Sequence, residues 1–71
     1  MKKTRYFERI TELRVEKHKT KTEMANVLGI YASAYSKHEK DGRFSLNEII
    51  KLADYHEVSL SYILGFGDER D

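Results

Sequence analysis

The side chains best suited to catalysis or metal binding are scattered along this chain in no arrangement that supports either. Its three histidines, His18, His38 and His56, lie twenty and eighteen residues apart, and the chain has no cysteine. Zinc sites usually take their protein ligands in closely spaced pairs, so this spacing predicts no metal site. The sequence shows no nucleophile paired with a base and no glycine-rich loop for a phosphate. It therefore predicts no catalytic residue, cofactor or small-molecule substrate.

The charged side chains point instead to phosphate binding. The net charge is only +1, but residues 1–43 hold 11 Lys and Arg against 6 Asp and Glu, whereas residues 44–71 hold 2 against 6. A concentration of cations at one end of a small domain attracts polyanions. The alternative is an ordinary mixed surface, because small domains often show such an asymmetry.

Apolar spacing and capping residues predict the helices that would position these charges. Tyr6, Ile10 and Leu13 recur at spacings of four and three, which indicates an amphipathic first helix. Thr20 and Ser45 each precede a Glu by three residues, and this capping-box sequence begins a second and a fourth helix. With their caps, the five predicted helices cover about residues 6–17, 20–29, 32–40, 45–57 and 59–65.

The predicted fold class is all-α, a compact five-helix domain of residues 1–65 followed by a short acidic tail, residues 66–71. The predicted inner face of the fourth helix consists of Leu46, Ile49, Ile50, Leu52 and Ala53. No apolar run approaches the ~20 residues that span a bilayer. No apolar signal core follows Lys2 and Lys3, so the sequence predicts no membrane association and a cytoplasmic location.

Residues 21–40 have the pattern of two short helices joined by a tight turn, a helix-turn-helix unit. Ala25 is small where the two helices must cross. Gly29 tolerates the positive φ that such a turn requires. Apolar residues on both helices would then fix the pair to the rest of the domain.

Three motifs in order make residues 9–65 resemble the phage-repressor and Cro-type helix-turn-helix domains, also called the XRE family. They are ELR near the end of helix one, the EMANVLGI core, and the late pair SLNEIIKLA and VSLSYILG. The resemblance implies a lambda-repressor-like fold whose third helix, the recognition helix, lies in the major groove of double-stranded DNA. It also implies a transcriptional regulator, either a repressor or Cro-like.

The resemblance further implies a structural ion pair between Arg14, at the end of ELR, and Glu39, near the end of the recognition helix. Such a pair, if buried, would bridge helix one to the recognition helix and fix its tilt. The alternative is that both residues are solvated surface charges.

Phosphate contacts are predicted on both sides of the recognition helix. The positive end of helix two suits a phosphate, which Lys21 would contact. Lys40, Gly42 and Arg43 match the family's second backbone contact, where glycine would let the strand approach closely. Tyr31 replaces the Ser that usually caps the recognition helix, and it would either donate to a phosphate or pack.

Base contacts are predicted for Ala32, Ser33, Ser36 and Lys37 on the recognition helix. Serine can hydrogen-bond a base edge, alanine can touch a thymine methyl group, and lysine can reach guanine. Because most of these side chains are short, two interpretations stay open. Either the helix docks closely and DNA shape supplies part of the specificity, or the surface contacts protein, as in an antitoxin or antirepressor component.

A homodimer is predicted through Tyr62, Ile63 and Phe66, because helix five and the residues after it often form the two-fold interface in this family. Two half-sites multiply the affinity of a small domain for DNA. In the alternative, Ile63 and Leu64 close the core of one chain, and only Tyr62 and Phe66 are exposed.

Overall fold

Five α-helices form the structure, a computed structural model that describes residues 5–67 of the chain. The helices are α1 (Tyr6–Glu16), α2 (Lys21–Leu28), α3 (Ala32–Asp41), α4 (Leu46–His56) and α5 (Leu60–Leu64). This confirms the predicted all-α, five-helix fold. Residues 68–71 of the predicted acidic tail lie outside the described residues. Within residues 5–67, every helix is too short or too polar to cross a bilayer.

The core is built from one face of every helix together with the ring of Phe44 from the α3–α4 loop. Its buried apolar side chains are Ile10, Leu13, Met24, Ala25, Leu28, Tyr35, Phe44, Ile49, Leu52, Ala53, Tyr62 and Ile63. Burial of this apolar surface is the main force holding α2 and α3 against the other three helices.

The inner face predicted for α4 is wrong at two positions. Leu46 is 60% exposed and Ile50 is 46% exposed. The buried stripe of α4 instead runs through Ile49, Leu52, Ala53 and His56. At 3.6 residues per turn Ile50 is rotated about 100° from Ile49 and falls outside this stripe, whereas Leu46 shares the side of Ile49 but is exposed at the first position of the helix.

The start and end of α2 follow the predicted chemistry. The Thr20 Oγ1 accepts from the Glu23 amide at 3.0 Å, and a Glu23 carboxylate oxygen accepts from the Thr20 amide at 2.8 Å, which confirms the capping box. Gly29 ends the helix with φ of 71°, and the amide of Ile30 donates to the Ala25 carbonyl at 3.0 Å. The chain therefore turns directly from α2 into α3.

Arg9 joins the two ends of the described chain, a contact that the sequence did not predict. Its Nη1 donates to the carbonyl of Tyr62 at 2.7 Å and to that of Gly67 at 2.8 Å. The guanidinium also lies 4.4 Å from the centre of the Tyr62 ring. These contacts, called the Arg9 tether below, hold the segment after α5 against α1.

Candidate nucleic-acid interface

Helix α3 lies at the surface with one side buried and the other free. Tyr35 and Glu39 form its buried side. Ala25 of α2 is only 1% exposed, as expected where two helices pack closely. Ser33, Lys37 and Lys40 of α3 are exposed. This arrangement leaves the outer side of α3 available for a partner.

The four residues predicted to read bases share one side of α3. Ser33 and Lys37 are exposed, and Ala32 and Ser36 are half-buried. Residues three and four apart in a helix lie on the same face, so these four form one continuous strip. The strip carries only one long side chain, that of Lys37. We call it the reading face.

The start of α2 lies beside the reading face. The Nζ of Lys21 is 3.4 Å from the Oγ of Ser36, to which it donates a long hydrogen bond. The structure therefore brings together Lys21, predicted to contact phosphate, and Ser36, predicted to contact a base. Their separation of fifteen residues along the chain is closed by the crossing of α2 over α3.

The C-terminal end of α3 and the loop after it carry two further cations, Lys40 in the last turn of the helix and Arg43 in the loop. Lys40 and Arg43 are both exposed. Between them, Gly42 has φ of 72°, and its carbonyl accepts a hydrogen bond from the Tyr6 hydroxyl. A Cβ added at Gly42 would lie 2.5 Å from two atoms of the Phe7 ring. The fold of the loop against α1 therefore requires glycine here, independently of any approach by a DNA strand.

Tyr31 occupies the position before the first residue of α3, but its side chain does not cap the helix. Its backbone is extended and its side chain makes no capping hydrogen bond. The side chain is 84% exposed, so in this structure the phenol does not pack against the domain. Tyr31 borders an open cleft between the end of α2 and the start of α3, which is lined by Asn26, Gly29, Ile30, Tyr31 and Ala34.

Arg14 and Glu39 lie together, as the family resemblance implied. Arg14 Nε is 3.0 Å from Glu39 Oε2, and Nη2 is 3.1 Å from Oε1, so the contact is bidentate. Arg14 Nη1 also donates to the carbonyl of Lys19 at 3.0 Å. One guanidinium thus connects α1, the α1–α2 loop and α3.

The Arg14–Glu39 pair changes the ionisation of the groups around it. Burial alone would raise the pKa of the Glu39 carboxyl, but hydrogen bonds from Arg14 and Tyr35, together with the positive charge of Arg14, outweigh burial and lower it. Burial raises the pKa of the Tyr35 hydroxyl, and the neighbouring Glu39 adds to the rise. Glu39 is therefore charged and Tyr35 neutral at physiological pH.

The predicted dimer surface is only partly available. Ile63 is completely buried and Tyr62 is 7% exposed beneath the Arg9 tether, so both belong to the core of one chain. The alternative prediction, that Ile63 closes the core of one chain, therefore describes this structure. Tyr62, which that alternative left exposed, is buried in the core as well. Phe66 is 81% exposed, and its amide donates to the Ser61 carbonyl at 3.0 Å. Of the three residues, only Phe66 offers apolar surface.

Comparison with known proteins agrees with this geometry. Residues 10–63 match a family model described as helix-turn-helix. YobD of Bacillus subtilis (strain 168), an uncharacterized HTH-type transcriptional regulator, is 33% identical over 67 residues, which is 93% of this chain. The chain spans 60% of the length of that relative. No solved structure gives a significant match. The chain belongs to the helix-turn-helix family, in agreement with the phage-repressor and Cro-type character of its sequence.

Proposed function

We propose that this chain binds double-stranded DNA sequence-specifically as part of a transcriptional regulator of the repressor or Cro-like kind. One observation carries the proposal, the reading face of α3 at the surface, with a cation from α2 beside it and two more at the C-terminal end of the helix. Lys21 lies beside Ser36, and Lys40 and Arg43 are exposed in the last turn of α3 and in the loop after it. The HTH-type regulator to which the chain is similar supports the same function.

In the proposed complex, backbone contacts set the position of the domain and the reading face selects the sequence. Lys40 and Arg43 contact phosphates on one side of the major groove. Lys37 reaches the O6 and N7 atoms of a guanine, and Ala32 contacts a thymine methyl group. The Arg14–Glu39 pair holds α3 at the tilt that brings these side chains to the base edges.

We further propose that two copies bind a palindromic site, with Phe66 in the contact between them. The chain presents Phe66 as an exposed aromatic ring on a segment that the Arg9 tether holds in place. A second copy would bury this ring and double the number of base contacts.

Selection from random duplex DNA, followed by salt titration of the recovered site, tests the main proposal. We expect a palindromic consensus and an affinity that falls steeply with salt, because each phosphate contact releases counterions. Lys37→Ala should change the preferred sequence, whereas Arg43→Ala should weaken binding to all sequences alike and reduce the salt slope by about one. A slope near zero for the unaltered chain would contradict DNA binding.

A protein-interaction module, such as an antitoxin or antirepressor component, is the second candidate. The short side chains of Ala32, Ser33 and Ser36 favour it, because they offer few hydrogen bonds to bases. The exposed Leu46 and Ile50 of α4 add apolar surface of the kind that proteins bury. This candidate predicts a protein partner whose binding affinity changes little with salt concentration. It also predicts that selection from random duplex DNA yields no consensus sequence.

A further inference from the structure

We propose that Lys21 reads a guanine in the major groove and does not serve as a phosphate contact, and that the hydroxyl of Ser36 positions it for this. The proposal rests on the proposed DNA binding and deepens it, because it assigns part of the sequence specificity to α2. It also replaces the phosphate contact that the sequence predicts for Lys21.

The geometry that supports this is the path of the Lys21 side chain. Lys21 begins α2, yet its Nζ lies 3.4 Å from the Oγ of Ser36, in the middle of α3. Ser36 is next to Lys37 and one helical turn beyond Ala32 and Ser33, so the ammonium lies at the edge of the reading face that borders α2.

Ser36 gives the Lys21 ammonium an acceptor on α3. It is half-buried, and its Oγ accepts the hydrogen bond from Nζ. A lysine on a flexible four-carbon stem samples many positions when it is unpaired. A hydroxyl acceptor narrows that range and still leaves two of the three ammonium N–H bonds free. Guanine presents two acceptors, O6 and N7, to such a group.

A phosphate at the start of α2 does not need the Lys21 ammonium. The amides of Lys21 and Thr22, the first two residues of the helix, have no intrahelical acceptor and point along the helix axis. Together with the helix dipole they can bind a backbone phosphate. In this proposal the amides at the start of α2 bind a phosphate, and the Lys21 ammonium contacts a guanine.

The test compares sequence discrimination between variants of the full chain. The probes are the duplex recovered by selection and its single-base-pair variants. Lys21→Ala should lose discrimination at one G·C pair by about tenfold and keep its preferences elsewhere. Ser36→Ala should reduce discrimination at the same pair by a smaller factor. Arg43→Ala should weaken all duplexes equally, and Lys51→Ala, an exposed lysine outside the interface, should change nothing.

A modified base makes the test specific to the proposed atoms. Replacing that guanine with 7-deazaguanine removes N7 and keeps Watson–Crick pairing. The modified base should weaken DNA binding by the unaltered chain. It should not change DNA binding by the Lys21→Ala variant. If Lys21→Ala instead weakens every duplex by one factor and lowers the salt slope by about one, Lys21 is a phosphate contact and this inference fails alone. If the unaltered chain binds no duplex, the proposed function fails with it.

Discussion

Arg14 shows how much a single residue contributes to the placement of the reading face. Its guanidinium binds both carboxylate oxygens of Glu39 and the carbonyl of Lys19, so three segments converge on it. Glu39 is only 7% exposed, and its charge depends on this partner. The net stability of a buried ion pair is small, but the loss of one member leaves the other charge uncompensated.

Arg14→Met should therefore destabilise the domain by about 3–5 kcal/mol, measured as the free energy of unfolding in urea. The double variant Arg14→Met with Glu39→Met removes both charges and should recover most of that loss. A double variant as unstable as Arg14→Met would show that the unpaired Glu39 carboxylate is not the cause.

His56 gives the domain a pH-dependent stability. It is 2% exposed, and neither ring nitrogen has a hydrogen-bond partner among the described residues. Burial, together with the nearby charge of Lys17, lowers the pKa of the imidazole to about 4. The unfolded chain, with an ordinary histidine pKa of about 6.5, binds the proton first as the pH falls.

The free energy of unfolding should consequently fall by roughly 2 kcal/mol between pH 7 and pH 5 because of this one residue. His56→Leu should remove that part of the pH dependence, whereas the exposed His18, changed to Asn, should leave it in place. Urea unfolding at both pH values measures the difference. An unchanged pH dependence in His56→Leu would contradict this assignment.

The sequence predicts some of these residues and not others for a physical reason. Arg14 and Glu39 sit at fixed places in a family pattern, so their pairing could be read from it. Arg9 and His56 look like ordinary surface residues in the sequence. Their burial depends on how α1 docks against α5 and on the rotation of α4, which local spacing does not determine.

Among the helices, the ends were more predictable than the orientations. The capping boxes of Thr20 and Ser45 and the turn at Gly29 involve neighbouring residues only, and the structure confirms them. The rotation of α4 was not predictable, because Leu46 and Ile50 widen the apolar stripe in the sequence. Likewise, nothing in the spacing of α1 indicates that Tyr6 and Phe7 face the α3–α4 loop.

The contact between Phe7 and the α3–α4 loop can be tested by comparing Gly42 with Gly29. The two glycines have nearly the same φ, 72° and 71°, so they differ mainly in their surroundings. Nothing lies within 4 Å of a Cβ at Gly29, but one at Gly42 would meet the Phe7 ring. Gly29→Ala should cost about 1 kcal/mol of unfolding free energy, as expected for alanine at positive φ. Gly42→Ala should cost about 1–3 kcal/mol more because of overpacking.

Combining Gly42→Ala with Phe7→Leu should recover part of the additional loss, since the smaller side chain relieves the contact. Thermal or urea unfolding of the three variants, each measured against the unaltered chain, provides the comparison. Equal losses at the two glycines would indicate that Phe7 moves aside freely and that packing does not select glycine at residue 42.

For the whole molecule, the sequence predicted the five-helix fold and the concentration of cations around α3. It did not predict which apolar side chains remain outside, because this depends on the complete packing. The structure leaves Phe66 exposed and takes Tyr62 and Ile63 into the core. The proposed dimer therefore depends on a smaller surface than the sequence suggested.

Phe66→Ser should raise the dissociation constant of the dimer by about tenfold or more, because it removes an aromatic anchor from the interface. Val15→Ser on α1 is the matched control, since Val15 is also exposed, at 56%. Sedimentation equilibrium over a range of concentrations gives the constants. If the unaltered chain is monomeric throughout, or both variants behave alike, Phe66 is not the contact.

The Arg9 tether also has a consequence for how the protein is made. A ribosome synthesises α1 first, but the carbonyls that secure Arg9 belong to residues 62 and 67, at the far end of the domain. Helices α2 and α3, with their local caps and tight turn, have their partners in place much sooner. Arg14 of α1 can bind Glu39 as soon as α3 has formed, but Arg9 gains its acceptors only after α5 has been made, so a chain interrupted before α5 holds α1 through one of these two arginines and not the other.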